Sequence, residues 1–239
     1  MEMITINTSK DTAITYLQKN PILHADMLEC IRRGSAQILA ASDFGVLLYE
    51  SGVHMLSAEN ETEAYRLLSK LNASELMVIH QAYGTEFAMK KYGFSRRIPA
   101  CNAVYLRGVP LPQNEKPAEI RPLDESFLPF VKAHYQNISE DEYLLDRLKA
   151  GVVFGAFIGG EPAGFIGIHT EGSIGMLEVL PKFRRRGIAR ILESFQVNRL
   201  LQAGCIPYAQ IQPQNKASIE LHRKLGFSFS DFSVSWLLK

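Results

Sequence analysis

The sequence predicts a mixed α/β fold built around a central β-sheet, and three observations support this prediction. Short runs rich in β-branched and aromatic residues alternate with helical stretches along most of the chain. Glycines and clusters of Pro, Asn and Asp separate these runs at the spacing expected of turns. The 239 residues are 46% hydrophobic and 21% charged, a composition that is typical of globular proteins with a real core.

The second half of the chain is regular enough to be divided into elements in order. Residues 119–123 predict a strand, Asp124 is placed to cap a helix that runs to about Tyr135, and Ser139 could start another that ends at Lys149. The remaining predicted elements are strands at 152–158, 163–169 and 173–180, a helix at 186–203 that stops at Gly204, a strand at 207–212, a helix at 216–225 and one or two strands within 227–238.

The first half is less regular but repeats part of this order of helices and strands. Three strands are predicted between residues 36 and 58, followed by a helix at 61–71, a strand at 75–80 and a helix at 84–92. The last helix runs into KYGF at 91–94, and the corresponding helix of the second half runs into KLGF at 224–227. A duplicated architecture explains the match, although a helix, a glycine stop and an aromatic strand start also recur by chance.

A proline-rich stretch separates the two halves. Residues 108–120 read GVPLPQNEKPAEI, with three prolines among polar residues, which is typical of a linker. We therefore expect an N-terminal domain at 1–112, a linker at 113–117 and a second domain at 118–239.

Charge and cysteine content exclude several classes of function. The 26 basic and 25 acidic residues give a net charge of +1, balanced between the halves, so the chain is not a polycation that binds nucleic acid. The three cysteines are widely spaced and have no metal-ligand pattern, which predicts no metal site and a reducing, cytoplasmic location. No apolar run is long enough to span a bilayer, and no signal peptide is expected.

One short stretch nevertheless concentrates positive charge. FRRRGIARIL, residues 183–192, follows the strand 173–180 and Pro181 and leads into the predicted helix. A helix N-terminus presents unpaired N–H groups, and a glycine lets the backbone approach a ligand closely. Three arginines beside such a turn suit a pyrophosphate, although a basic loop exposed to water is the alternative.

Two motifs in this region carry a family resemblance. VLPKFRRRGIARIL, residues 179–192, resembles motif A of the GNAT superfamily of acyl-CoA N-acyltransferases, with the pattern Q/R-x-x-G-x-G/A between a strand and a helix. NKASIELHRKLGF, residues 215–227, resembles motif B. The resemblance covers residues 118–239 and implies a mostly antiparallel, splayed central sheet flanked by helices.

The resemblance also implies where acetyl-CoA, or another acyl-CoA, would bind. Asn215 would contact the cofactor beside the thioester, and the pantetheine arm would follow the backbone near Leu177 and Val179. The pyrophosphate would lie on the turn and first helical residues that comprise Arg184, Arg185, Arg186, Gly187, Ile188 and Ala189.

The strand before this turn changes its apolar face halfway. Ile174 and Met176 share one face, whereas Leu177 and Val179 share the other. A β-bulge near Met176 would produce the change, and the family has a bulge in this strand. Burial of the strand on both faces is the alternative.

Transfer of an acyl group to an amine needs a base and benefits from an acid. Glu178 is either a base with a raised pKa or an edge residue that faces solvent; His169 and Glu171 are its competitors. Some relatives carry a base where this chain has Ser173, which cannot serve that role at neutral pH. Many GNAT enzymes have a tyrosine acid where this chain has His222, which is either an acid or structural, and Tyr208 is a weaker candidate.

The leading hypothesis is an N-acyltransferase that moves an acetyl group to the primary amine of a small molecule or amino acid. A non-catalytic CoA-binding or regulatory protein is the alternative. The N-terminal part lacks the motif A pattern, so the chain is similar to two GNAT-like lobes in tandem with a degenerate first lobe, as in the glycine N-acyltransferase-like branch. Otherwise residues 1–112 simply complete the substrate cleft. The oligomeric state is left open.

Overall fold

A computed structural model describes residues 3–113, 118–135 and 140–239, with backbone alone for residues 3–8. In the first half of the chain the helices and strands follow the predicted order, preceded by two helices that the sequence pattern did not predict. They are α1 (Met3–Leu17), α2 (Ala25–Arg33), β1 (Gln37–Ser42), β2 (Gly45–Glu50), β3 (Val53–Ala58), α3 (Glu61–Leu68), β4 (Leu76–His80), α4 (Thr85–Tyr92) and β5 (Arg96–Val104).

The second half also matches its prediction closely. The Asp124 side chain accepts a hydrogen bond from the Ser126 N–H at 2.9 Å and caps a 3-10 turn before the first helix. Ser139, the expected start of the next helix, lies outside the described residues. The elements are β6 (Glu119–Pro122), α5 (Leu128–His134), α6 (Asp141–Lys149), β7 (Phe154–Ile158), β8 (Glu161–Ile168), β9 (Ile174–Val179), α7 (Ile188–Gln202), β10 (Tyr208–Ile211), α8 (Lys216–Leu225), β11 (Ser228–Phe229) and β12 (Val234–Leu238).

The strands form two sheets that are mostly antiparallel, which confirms the predicted mixed α/β, mostly antiparallel class. The larger sheet has the order β1-β2-β3-β4-β12-β5-β10, with β11 paired to β5. Its β3–β4 pair is parallel, whereas β1–β2, β2–β3, β4–β12 and β12–β5 are antiparallel. The smaller sheet, β6-β7-β8-β9, is antiparallel throughout. Within the described strands β9 does not pair with β10.

The chain divides into two compact units that are not continuous in sequence. The first contains residues 1–104, 210–216 and 228–239, and the second contains 105–209 and 217–227. The continuous domains expected at 1–112 and 118–239 differ from this division, because β12 pairs with β4 and β5 rather than with strands of its own half. Most of the expected linker, residues 114–117, lies outside the described residues.

Buried contacts hold the first unit together around a polar centre. Helices α1 and α2 pack on β2, β3 and β12 through an apolar cluster that includes Tyr16, Met27 and Val234. Within this unit the fully buried Asp26 carboxylate accepts from His80 Nε2 at 2.9 Å and from Gln210 Nε2 at 3.0 Å. A buried charge is tolerated only with such partners, so this network fixes how α2 docks on the sheet.

The second unit has a separate core under its smaller sheet. Phe165 of β8 and Met176 of β9 pack with Val131 of α5 and Leu144 of α6 in one apolar cluster. One face of the sheet therefore packs against α5 and α6. Among the described helices none is long and apolar enough to cross a membrane.

Candidate active site

The strand β9 contains the β-bulge that its change of apolar face predicts. Phe165 of β8 pairs with Glu178, but Gly167 pairs with Gly175, so two residues of β9 oppose a single residue of β8. Met176 has a φ of 52°, in the left-handed region that non-glycine residues rarely adopt. The prediction of a bulge near Met176 is confirmed, and a bulge releases backbone groups from the ladder.

The bulge sorts the side chains of β9 into two environments. Ile174 and Met176 are buried, whereas Leu177 and Val179 are half-buried and lie on the strand that leads into the basic turn. Gly164 on β8 has no side chain where β9 passes, and a Cβ there would clash with the Glu178 carbonyl. The close β8–β9 approach therefore depends on glycine at that position.

The basic turn has the backbone of an anion site. After a 3-10 turn at Pro181–Phe183, Arg185 has a φ of 64° and Gly187, the N-cap of α7, has a φ of 81°. Ile191 is the first residue of α7 whose N–H bonds back to the Gly187 carbonyl, at 3.0 Å. The amides of Ile188 and Ala189 lie before that bond, and the first amides of a helix have no intrahelical acceptor. They point out of a positive dipole end, which favours an anion.

The side chains around this turn leave room for a ligand. Arg184, Arg185 and Arg186 are exposed, and a Cβ built on Gly187 meets none of the described atoms within 4 Å. Arg184 Nε donates to the Val179 carbonyl at 3.0 Å, which ties the turn to the end of β9. Three exposed arginines on a turn that leads into a helix N-terminus suit a pyrophosphate.

Glu178 lies on β9 two residues after the bulge and is half-buried. Burial raises the pKa of its carboxyl above the usual value, although the charges of Arg184 and His134 act in the opposite direction. A raised pKa suits a carboxylate that has to take a proton from an ammonium group. His134, at the end of α5, was not singled out by the sequence.

The competing residues His169 and Glu171 have other partners. His169 Nδ1 and Tyr143 Oη are 2.6 Å apart, and burial lowers the pKa of this imidazole. The Ser173 hydroxyl donates to Glu171 Oε1 at 2.5 Å, and the Tyr208 hydroxyl donates to the Glu171 carbonyl at 2.8 Å. Tyr208 is fully buried. This group of side chains ties the β8–β9 turn to β10 and α6.

His222 is buried on α8 and has partners at both ring nitrogens. Its Nδ1 lies 2.8 Å from the Ser218 carbonyl and therefore donates, and its Nε2 lies 3.2 Å from Glu193 Oε1 on α7. Burial lowers the pKa of His222, but Glu193 and the Ser218 carbonyl outweigh it, so the net pKa is raised. Nothing in the sequence singled out Glu193, because its partner is distant in the chain.

Asn215 lies in the exposed loop between β10 and α8, where its N–H donates to the Gln212 carbonyl at 3.0 Å. It belongs to the first unit, whereas the basic turn belongs to the second. Within the described part of the chain, no group of three or more His, Cys, Asp or Glu residues could hold a metal ion.

Comparison with solved structures places the fold. A Drosophila protein solved as a structural genomics target is 17% identical, with a TM-score of 0.70 over 100% of this chain and 97% of that one. A structure described as a GNAT-family acetyltransferase from Novosphingobium aromaticivorans is 19% identical, with a TM-score of 0.56 over 92% and 96%. A GCN5-related N-acetyltransferase from Kribbella flavida is 13% identical, with a TM-score of 0.54 over 90% and 92%. At these identities the likeness concerns the fold alone.

The sequence comparison adds the family. No curated protein matches the chain. The family model of the GNAT acetyltransferases matches residues 118–227, a range that contains the bulged strand, the basic turn, α7 and α8. Residues 118–227 are therefore similar to the acetyltransferases of the GNAT family.

Proposed function

We propose that the chain transfers the acetyl group of acetyl-CoA to the primary amine of a small molecule or amino acid, by direct attack of the amine on the thioester. One observation carries the proposal: a bulged strand bears a half-buried carboxylate and runs directly into a helix N-terminal turn lined by exposed arginines. This arrangement puts a carboxylate that would act as a base and a turn that would bind an anion a few residues apart on one continuous segment.

The turn residues Arg184–Ala189 would hold the CoA pyrophosphate. Three observations support this assignment: the open space above Gly187, the amides that precede the first α7 hydrogen bond, and the three exposed guanidinium groups. Leu177 and Val179 would offer backbone groups to the pantetheine arm, since Leu177 lies in the bulge and β9 is the last strand of its sheet. Asn215 would also contact the cofactor; this assignment rests on the family resemblance alone.

Glu178 would act as the base. An amine attacks only after its ammonium form has lost a proton, and a carboxylate with a raised pKa is better matched to that task than a free one. Burial supplies the rise in the pKa of Glu178. We assign no acid, because His222 is buried, with Nδ1 donating to the Ser218 carbonyl and Nε2 facing Glu193 at 3.2 Å. The thiolate of the departing CoA would take its proton from solvent.

The alternative is a non-catalytic CoA-binding protein. The observation that favours it is the burial of His222 against Glu193, at the position where the family resemblance puts the usual tyrosine acid. Such a protein would bind CoA at the same turn but would not turn it over.

Turnover and binding measured together separate the two. Acetyl-CoA would be incubated with glycine, L-lysine, spermidine or phenethylamine while thiol release is followed, and CoA binding would be measured by titration calorimetry. Amine-dependent thiol release supports the acetyltransferase. Binding without release for all four amines favours the regulatory protein, and absence of binding overturns both.

A further inference from the structure

Gln210 fastens the strand β10 to the polar centre of the first unit. Its side-chain Nε2 donates to Asp26 Oδ2 at 3.0 Å, and its Oε1 accepts from the Trp236 indole N–H at 2.7 Å. An indole N–H only donates and an ionised carboxylate only accepts, so these two partners fix the orientation of the Gln210 amide. Both ends of the side chain therefore hold the strand.

The Asp26 carboxylate on α2 collects donors from several strands of the larger sheet. It accepts from His80 Nε2 of β4 at 2.9 Å, from Asn102 Nδ2 of β5 at 3.3 Å and from Gln210 of β10. Trp236, which holds the other end of Gln210, lies on β12 between β4 and β5. Because the carboxylate is fully buried, it is tolerated only with such donors. The position of β10 is thus joined to the best-buried polar group of this unit.

The strand β10 has a weak hold on the sheet itself. It spans only Tyr208–Ile211 and is the last strand in the sheet order, so within the described strands its backbone pairs with β5 alone. An edge strand leaves one row of backbone groups outside the ladder. The two hydrogen bonds of the Gln210 side chain therefore contribute much of what fixes the end of this strand.

A short turn connects the end of β10 to Asn215. The strand ends at Ile211, and the Asn215 N–H donates to the Gln212 carbonyl at 3.0 Å, which closes a turn directly after the strand. Within the same turn the Gln214 side chain donates to Gln212 Oε1. Gln210 and the whole turn belong to the first unit. The position of Asn215 therefore depends on where β10 ends.

We propose that Gln210 is a positioning residue for CoA binding: anchored by Asp26 and Trp236, it holds the end of β10 so that Asn215 meets the cofactor. The inference rests on the proposed role of Asn215 as a cofactor contact. Ordering this residue before CoA arrives spares the binding step the cost of ordering it later. The first unit would thereby take part in cofactor binding without a CoA site of its own.

The test compares Gln210→Met with Asn60→Ala in the full chain. Gln210→Met keeps the length of the side chain and loses both hydrogen bonds, whereas Asn60→Ala removes the N-cap of α3 in the same unit and controls for a general loss of stability. CoA binding is measured by titration calorimetry, and kcat and KM are measured with acetyl-CoA and the fastest of glycine, L-lysine, spermidine and phenethylamine.

The expected result is a loss of cofactor affinity in one variant only. Gln210→Met should raise the Kd for CoA and the KM for acetyl-CoA roughly five- to tenfold, the usual worth of one hydrogen bond, with kcat within about threefold of the wild type. Asn60→Ala should match the wild type in all three constants. Wild-type affinity in Gln210→Met, or an equal loss in Asn60→Ala, would overturn the inference and leave the proposed function in place.

A double-mutant cycle with Asn215→Ala tests whether the effect passes through Asn215. If it does, Gln210→Met should weaken CoA binding no further once Asn215 has been truncated, whereas additive losses would contradict the inference. Wild-type affinity in Asn215→Ala would remove both the inference and the Asn215 contact. Absence of CoA binding in the wild type would instead overturn the proposed function itself.

Trp236 gives a readout that needs no Gln210 variant, should Gln210→Met fail to fold. It is the single tryptophan of the chain, so its indole N–H gives one unambiguous proton–nitrogen NMR signal. Saturating CoA should shift this signal in the wild type, because Gln210 joins the indole to the end of β10. The shift should be lost in Asn215→Ala saturated with CoA. Its persistence there, or its absence in the wild type, would show that CoA is not coupled to Gln210 through Asn215.

Discussion

Glu193 and His222 form an ion pair in the interior of the second unit, with Oε1 and Nε2 3.2 Å apart and side chains that are 1% and 3% exposed. The pair joins α7, whose N-terminus forms the basic turn, to α8, which carries the second motif of the family. A buried pair of this kind is costly to break from one side, because the remaining charge is left without a partner. The link therefore supports a structural role for His222.

The first prediction follows from the raised pKa of His222. Its stabilising contribution is fully present below the unfolded histidine pKa of about 6.5 and is lost as pH rises through the higher folded-state pKa. Glu193→Gln should lower the free energy of unfolding by roughly 2 kcal/mol at pH 6 and flatten its decline above that pH. Urea unfolding at several pH values measures both effects.

His222→Gln provides the complementary result. With a structural His222 the variant should lose thermal stability while kcat at a temperature where it stays folded remains within about threefold of the wild type. A loss of a hundredfold or more, the usual worth of a positioned acid, would instead make His222 the proton donor.

The second prediction concerns the anion site at Gly187. Gly187→Val should abolish CoA binding measured by calorimetry, because a β-branched residue is strained at a φ of 81° and its side chain would fill the space above the turn. Gly204→Val is a matched control beyond the other end of the same helix, since Gly204 has a φ of 68° and equally open surroundings. Equal loss of CoA affinity in both variants would attribute the effect to backbone strain rather than to a ligand site.

The bulge and the basic turn were predictable because their signals are local. The apolar face of residues 174–179 changes within one strand, and the glycine and arginines of the turn follow within ten residues. By contrast, the partner of His222 is Glu193 on another helix, and the partner of Asp26 is His80, 54 residues away. No periodicity within one element reports such pairs.

The same reasoning explains the other differences between sequence and structure. Helices α1 and α2 were not predicted. The helical pattern of α1 is weak, whereas α2 is strongly amphipathic and was overlooked; both pack on the sheet, which stabilises them. The strand β12 was predicted as a strand, but its place between β4 and β5 is a non-local pairing. His134 was missed because a lone histidine at a helix end carries no motif.

The third prediction concerns the buried pair of the first unit. Burial raises the pKa of Asp26, but the His80 charge outweighs it and the net pKa is lowered; the pKa of His80 is raised by Asp26 despite burial. The Asp26 contribution is therefore lost as pH falls through its folded pKa, below the unfolded value of about 4. That of His80 is lost as pH rises above about 6.5 and through its folded pKa. Stability should have a plateau between these limits.

Asp26→Asn should remove this plateau and cost roughly 3–5 kcal/mol, the usual effect of removing one partner of a buried pair. Glu59→Gln is the control, because Glu59 pairs with Lys19 at 2.7 Å on the surface of the same unit. Exposed pairs contribute about 0–1 kcal/mol, so this variant should unfold like the wild type. An equally mild Asp26→Asn would show that the buried pair is not ionised.

The fourth prediction concerns the number of CoA sites. The first half of the chain has no R-x-x-G-x-G/A pattern, and the helix after β3 is capped by the Asn60 side chain, which accepts from the Glu63 N–H at 2.9 Å. That amide is thus already satisfied by the protein, and Glu61 and Glu63 add negative charge to the first turn. Calorimetry should give one CoA per chain. A stoichiometry near two would contradict an inert first unit.

The fifth prediction uses the opposite effects of Glu178 on activity and on stability. Since burial raises the pKa of Glu178, the folded state favours the protonated carboxyl, and its contribution is lost as pH rises through the folded pKa. Glu178→Gln keeps the volume but removes the charge, so the variant should be at least as stable as the wild type at pH 8. It should also lose turnover by roughly a hundredfold or more, with CoA affinity nearly intact. In the wild type, the rate at low amine concentration should rise with pH through an apparent pKa above that of a free carboxyl group.

Glu171→Gln is the matched control, because it removes a buried carboxylate that the Ser173 hydroxyl already engages. We expect this variant to lose stability and to keep the pH-dependent step. Should Glu171→Gln abolish turnover while Glu178→Gln retains it, Glu171 would be the base and the assignment of Glu178 would be wrong.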